Sequence, residues 1–271
     1  MLKRSIPSSG EKIAAVGVGT WRGFDIGSGL SERNDRRAIL ETLLNAEASV
    51  IDSSPMYGRA EEVVGDLLAD LGRRDETFIA TKVWTHGRPQ GIAEMEASFR
   101  LFRTDVIDLM QVHNLVDWQT QLDTMRGWKN EGRIRYLGYS HYRPQAFDEL
   151  IKAVRDKPVD FVQFCYSIDE PAAEDSVLPF CHANGIATLI NLPFGGGGLL
   201  SRLSQRPLPG LASELECTTW AQYCLKYVIS HPGVTCSIPG TSNPMHMADL
   251  LAVGDGPMPD QKTRQKMAAT L

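Results

Sequence analysis

Four side chains in the first half of the sequence have the types and the spacing to move a proton. Asp52 follows the apolar pair Val50-Ile51, and Tyr57 lies five positions later in "SPMYGRAEEVVGDLL" (54–68), just before an amphipathic stretch. Lys82 closes "FIATKVW" and His113 closes "DLMQVHNL". A tyrosine hydroxyl has an unperturbed pKa near ~10, so it is a poor acid at neutral pH unless a nearby cation stabilises the phenolate. Lys82 can be that cation, Asp52 can pair with it and hold it protonated, and His113 can donate or relay a hydrogen bond at a reacting oxygen. The set suits protonation of a carbonyl oxygen. Each residue alone has an ordinary explanation: a rim tyrosine, a lysine that snorkels to water, a hydrogen-bonded structural histidine. Their coincidence at the ends of three successive apolar runs argues otherwise, because burying an aspartate, a lysine and a histidine together is costly unless they pair.

To bring these residues together, the runs that carry them must end at one place. Short runs rich in branched or apolar residues recur as "AVGVGT" (15–20), "SVIDSS" (49–54), "TFIATKV" (77–83), "VIDLMQVH" (106–113), "IRYLGYSH" (134–141), "FVQFCYS" (161–167), "IATLINLPF" (186–194) and "VTCSIPG" (234–240). Between them lie segments of helical spacing, such as Ile39, Leu40, Leu43 and Leu44, or Phe147, Leu150, Ile151 and Val154. Eight alternating strand and helix units predict a (β/α)8 TIM barrel, a single domain over 1–271, in which all strand ends share one rim. A doubly wound open sheet is the competing architecture, but no G-x-G-x-x-G follows the first strand and no composition break halves the chain. Ser8-Ser9-Gly10, between two short extended pieces, predicts an N-terminal β-hairpin that could plug the barrel.

Composition narrows the class. The chain has 271 residues, 42% hydrophobic, with a formal net charge of -5 and both signs scattered. No basic face points to nucleic acid or to a membrane surface, and no stretch approaches a membrane span. Five cysteines (Cys165, Cys181, Cys217, Cys224 and Cys236) form no C-x-x-C pair and read as reduced thiols of a cytoplasmic protein. The N-terminus is broken by Pro7, Ser8, Ser9 and Gly10 before any apolar core of a signal peptide develops. Oligomeric state is not encoded in any feature of the sequence.

With these residues in view, the sequence resembles the aldo-keto reductases over nearly its whole length. "GVGTW" (17–21) is similar to the family's first strand, the segment from Asp52 through "SPMYG" (54–58) to its Asp and Tyr motif, and "TKVW" (81–84) to its Lys motif. "DLMQVHN" (108–114) carries the His, "GRIRYLGYS" (132–140) resembles the fifth strand, and "IPGTSNPMHMADLL" (238–251) the segment that holds the adenosine end of the cofactor. The resemblance implies that Asp52, Tyr57, Lys82 and His113 are catalytic. It also implies hydride transfer from a reduced nicotinamide to an aldehyde or ketone, or the reverse, with Tyr57 as general acid and no metal.

The resemblance implies a cofactor site made of Gly19, Thr20, Trp21, Asp52, Ser140, His141, Gln163, Asn191, Leu192, Pro193, Phe194, Gly196, Leu199, Gly240, Thr241, Ser242 and His246. His141 stands where an Asn is usual, and Asn191-Leu192-Pro193-Phe194 where a Tyr-Ser-Pro-Leu motif stacks on the nicotinamide, which leaves Phe194 or Trp21 to supply that face. "FGGGGLL" (194–200) offers backbone N–H groups to a pyrophosphate. Trp21, Tyr57, Trp84, His113 and Trp118 are expected to line a partly apolar substrate mouth, while Trp128 and Trp220 read as helix packing. NADP(H) is the expected cofactor, with NAD(H) as the alternative. No Lys or Arg occurs from 227 to 261, so the expected preference for NADP(H) is no more than about 2 kcal/mol, roughly 30-fold, unless Arg202 or Arg206 reaches across. Two other functions fit the same residues: a Schiff-base aldolase using Lys82, or a cofactor-binding regulatory barrel resembling the potassium-channel β subunits.

Overall fold

The strand runs fold as the hydrophobic pattern dictates. The computed structural model describes residues 1–271. A hairpin of β1 (Lys3–Ser5) and β2 (Lys12–Ala14) precedes eight parallel strands. These are β3 (Val18–Gly19), β4 (Val50–Asp52), β5 (Phe78–Val83), β6 (Ile107–His113), β7 (Ile134–Ser140), β8 (Phe161–Cys165), β9 (Ala187–Asn191) and β10 (Cys236–Ser237). They pair in chain order, and bridges from Val16 to Ser237 and from Gly19 to Gly240 bring the last strand back to the first. The result is a nearly closed (β/α)8 barrel.

Each strand is followed by helix. α1 (Leu30–Asn45), α2 (Ala60–Leu71), α3 (Arg88–Leu101), α4 (Trp118–Asn130), α5 (Phe147–Asp156) and α6 (Val177–Ala183) follow β3 to β8 in turn. After β9 come α7 (Gly198–Leu203), α8 (Leu211–Glu214) and α9 (Trp220–Ser230), and after β10 come α10 (Pro244–Leu251) and α11 (Gln261–Ala268).

Alternation along the strands makes two cores. Residues facing the helices join an outer cluster of 65 residues. Residues facing inward, among them Val50, Phe78, Ala80, Leu109, Tyr136, Phe161, Leu189 and Cys236, form a separate inner cluster of 12. Ile6 and Ile13 of the hairpin belong to that inner cluster, so the hairpin fills the N-terminal end of the barrel. It is held there by the Tyr136 hydroxyl, 2.7 Å from Ser9 Oγ and 2.6 Å from Glu11 Oε2. Above this apolar floor the inward positions turn polar: Asp52, Lys82, Gln111, His113, Ser140 and Gln163 are all buried near the C-terminal ends of their strands.

One buried carboxylate lies outside the barrel wall. Glu61 of α2 accepts hydrogen bonds from Ser98 Oγ of α3 at 3.0 Å and from the Thr81 hydroxyl on the outer face of β5. Burial pushes its pKa up to about 7 against these donors. The folded state therefore retains a proton that the unfolded chain, with an ordinary value of 4.5, releases. Folding stability should fall as pH rises between about 4.5 and about 7. Glu61→Gln should flatten that part of a melting temperature against pH curve, and an unchanged slope would show that Glu61 is not the group responsible.

Candidate active site

The register of the sheet decides which rim residues meet. Asp52 lies opposite Gly19 and Ala80, Lys82 opposite Gln111, and Ser140 opposite both His113 and Gln163. Asp52, Lys82 and His113 therefore converge inside the barrel mouth, and the loop from Ser53 to Arg59 brings Tyr57 over them.

Lys82 is fully buried and Asp52 is 3% exposed. Lys82 Nζ donates to Asp52 Oδ2 at 2.7 Å and to Ser53 O at 2.6 Å. The other carboxylate oxygen accepts from Gln163 Nε2 at 2.9 Å and Gln111 Nε2 at 3.3 Å. An ammonium has three donors, and two are used, which leaves one for the phenol. Nζ lies 5.2 Å from the centroid of the Tyr57 ring. Burial pulls the Lys82 pKa down, but the Asp52 charge and the Tyr57 oxygen outweigh it and hold the pKa above the usual lysine value. A lysine kept charged in this way cannot act as a Schiff-base nucleophile, which argues against the aldolase alternative.

Tyr57 departs from the expectation that a neighbouring cation lowers its pKa. Burial raises it, Lys82 lowers it, Asp52 raises it, and the sum is a phenol held above its ordinary value. The resting side chain is thus a protonated donor, and Lys82 offsets part of the cost of losing that proton.

His113 packs edge-on to the Tyr57 ring, 6.0 Å between centroids, and 6.4 Å from the Trp84 ring. Its pKa is driven down to about 2 by burial and by the charge of Lys82. The ring is neutral. Ser54 Oγ, not singled out in the sequence, lies 3.0 Å from Nδ1 and also accepts the Met56 N–H at 3.4 Å. A Ser54 hydroxyl that donates to Nδ1 puts the ring proton on Nε2. His141 is fixed in the same way, because Nδ1 accepts the Arg143 N–H at 3.1 Å and Nε2 is left to donate.

Cofactor-facing features fit a bound dinucleotide. Asn191, at the end of β9, has a buried Oδ1 with no hydrogen-bond partner, an acceptor suited to a carboxamide N–H. Gly195, Gly196 and Gly197 adopt φ of 57°, 70° and 97°, and around Gly196 and Gly197 nothing would lie within 4 Å of a Cβ. Side chains there would be strained and would fill the space in which the backbone can approach a phosphate.

Other expected residues take different places. Thr20 is buried with its hydroxyl on Asp52 O at 3.0 Å and Ser53 Oγ at 2.9 Å, so it fastens the start of the tyrosine loop. Phe194 and Leu199 bury their side chains in the outer core and anchor the glycine segment, which removes Phe194 as a free stacking face. Leu192 has a positive φ of 51° and packs against the same core, and Pro193 is buried beside it. Trp21 and Trp84 stand 44% and 43% exposed at the rim. Trp118 does not join them: the turn through Asn114, Leu115 and Asp117, all at positive φ, sends it to the outer layer, where it packs edge-on to Tyr139 at 5.6 Å.

Neither Arg202 nor Arg206 reaches the segment that opens α10. Arg202 pairs with Asp169 at 2.5 Å, and Arg206 donates to Leu271 O and Thr270 O. Arg36 does reach it, from α1, with Nη1 2.9 Å from Ser242 O. Gly240 lies against Gly19, while Ser242 and His246 are exposed and Thr241 is half-buried, with its Oγ1 accepting the Asn243 N–H.

Lys82→Met would leave Asp52 buried with two amide donors and no counter-charge. A loss of about 3–5 kcal/mol in denaturant unfolding is expected. The Lys82→Met/Asp52→Asn double variant should recover part of it, and full additivity would mean that the pair is not coupled.

Residues 15–268 match the model of the Aldo/keto reductase family. The aldo-keto reductase YhdN of Bacillus subtilis is 32% identical over 204 residues, covering 69% of this chain and 60% of that protein. The methylglyoxal reductase YeaE of Escherichia coli is 29% identical over 261 residues, covering 93% of this chain and 90% of that protein. Among solved structures, an aldo-keto reductase from Klebsiella pneumoniae in complex with NADPH superposes with a TM-score of 0.85 at 25% identity, covering all of this chain and 95% of that one.

Proposed function

From the premise that this chain belongs to the aldo/keto reductase family, we propose that it reduces a small aldehyde or ketone with NADP(H), and that Tyr57 is its proton donor. The family fixes the reaction class: an NAD(P)H-dependent oxidoreductase acting on carbonyl compounds. The observation that carries the residue roles is the buried Asp52–Lys82 pair at 2.7 Å, with one ammonium donor free beside a protonated phenol.

When bound, the cofactor supplies a hydride from C4 of its reduced nicotinamide. Asn191, Gln163, Ser140 and His141 would hold the carboxamide end, with Asp52 at the base of that group. Gly19, Trp21 and the segment from Leu192 to Leu199 would line the path of the pyrophosphate, whose charge backbone N–H groups would meet. Gly240, Thr241, Ser242 and His246 would take the adenosine phosphate. The neutral His113 donates from Nε2 to the carbonyl oxygen and so places it near the Tyr57 hydroxyl. Tyr57 then gives its proton to that oxygen as negative charge develops, while Lys82 stabilises the phenolate and Asp52 keeps Lys82 charged. Trp21 and Trp84 exclude water from this step.

The name of the YeaE relative suggests methylglyoxal and similar α-oxoaldehydes as the first substrates to test. No helix is long and apolar enough to cross a membrane, and all five cysteines are unpaired and buried. We place the protein in the cytoplasm as a single catalytic domain acting on small molecules, without nucleic acid or membrane partners.

Following the nicotinamide absorbance with aldehydes, ketones and α-dicarbonyls tests the reading directly. Tyr57→Phe should cut turnover by roughly 10²- to 10⁴-fold while cofactor still binds; turnover equal to the parent protein would reject Tyr57 as the acid. The pH profile of kcat/KM should show no inflection from His113 between about 5 and 9, because that group titrates at about 2. An inflection near 6.5 that disappears in His113→Gln would contradict a neutral histidine.

A further inference from the structure

Arg36 is the only cation that the fold brings into hydrogen-bonding contact with the segment opening α10, and it comes from the opposite end of the sequence. Its side chain is 9% exposed. Nε donates to Gly23 O at 2.6 Å and Nη1 to Ser242 O at 2.9 Å. The guanidinium therefore bridges the loop after the first barrel strand, which carries Trp21, and the loop after the last, which carries Thr241 to Asn243. These loops also touch directly: a Cβ at Gly23 would come within 2.9 Å of Thr241 O. The nearest carboxylate, Asp35, is 4.0 Å away and 54% exposed, so no buried acid neutralises the charge.

In parallel barrels the loops after the last strands and the helix N-terminus beyond them commonly form a phosphate site. Here that terminus has few donors to spare. Pro244 has no N–H, the Met245 N–H is taken by Asn243 Oδ1 at 2.9 Å, and the Met247 N–H by Asn243 O at 3.2 Å. The Asn243 N–H is taken by Thr241 Oγ1 at 3.1 Å. The hydroxyls of Ser242 and Thr241 carry no charge, so they offer little to separate a phosphate from a hydroxyl. A fixed positive charge directly behind Ser242 does offer this.

We propose that Arg36 is the residue that selects NADP(H) over NAD(H): its charge favours the ribose 2′-phosphate at Thr241–Asn243, and its two hydrogen bonds hold that loop in the receiving shape. This assignment rests on the proposed function. It also changes what the neutral composition of 227–261 implies, since the charge that composition lacks is delivered from α1.

Isothermal titration of the purified protein with NADPH and with NADH tests it, comparing the parent with Arg36→Met and Arg36→Lys. Arg36→Met should weaken NADPH by about 10- to 100-fold and NADH by less than about threefold, the range expected for removing one nearby, largely buried charge. Arg36→Lys should keep most of the preference. Equal losses for both cofactors would overturn the proposal, because they would mark a loop that has merely lost its shape, and so would an unchanged NADPH affinity. If Arg36→Met does not fold, the parent protein and Arg36→Lys decide: NADPH affinity must fall more steeply with added salt than NADH affinity, and equal slopes would overturn the assignment. A parent protein that binds neither cofactor would overturn the proposed function and this assignment together, whereas a parent that binds both with no preference would overturn this assignment alone.

Discussion

The rest of the site depends on one buried ion pair. Asp52 and Lys82 are both withdrawn from water at the top of the barrel, where separated charges would each cost several kcal/mol. They are tolerable because the cage around them is nearly complete: two glutamine amides on one carboxylate oxygen, the ammonium on the other, and Ser53 O on the ammonium. This cage draws its side chains from four strands, β4, β5, β6 and β8, whose inward-facing positions meet at one level of the barrel. The parallel sheet supplies that by registering Asp52 beside Ala80 and Lys82 beside Gln111. Below, the inner cluster of aliphatic and aromatic side chains gives the pair a dry base, so its field is directed upward to Tyr57.

The eight strands were legible because a parallel sheet covered on both faces is mostly apolar along its length, and "FIATKV" and "IDLMQVH" keep that character apart from a few polar residues such as Lys82, Gln111 and His113. The convergence of Asp52, Lys82 and His113 was legible for the complementary reason: a charged residue near the end of such a run has to sit on the rim or break the core. Residues on connecting turns are harder. Trp118 reads as a rim aromatic from its distance beyond β6, but three residues at positive φ turn the chain back over the outer wall. Arg36 reads like any surface cation of α1, and its contact with Ser242 spans 206 positions, beyond any local pattern. Ser54 reads as a loop serine, though its spacing from Asp52 puts it on the same face.

The direction of the Tyr57 shift is not readable from residue types either. A lysine and an aspartate beside a phenol push in opposite senses, and the outcome depends on how far the ring is withdrawn from water, which only the packed structure sets. The same holds for His113. Its low pKa follows from burial next to Lys82, so the cation that assists the phenol also keeps the imidazole neutral.

The hairpin that fills the barrel floor has a consequence for traffic. With Ile6 and Ile13 wedged among Phe78, Tyr136 and Phe161, the interior is a blind well with a single opening. With Tyr57 as the proposed proton donor, each proton it gives away leaves through that opening in the alcohol product, and its replacement must enter by the same route. Recharging the acid is thereby tied to clearing the mouth: a ligand that lingers at the rim delays the next turnover even when the chemical step is fast.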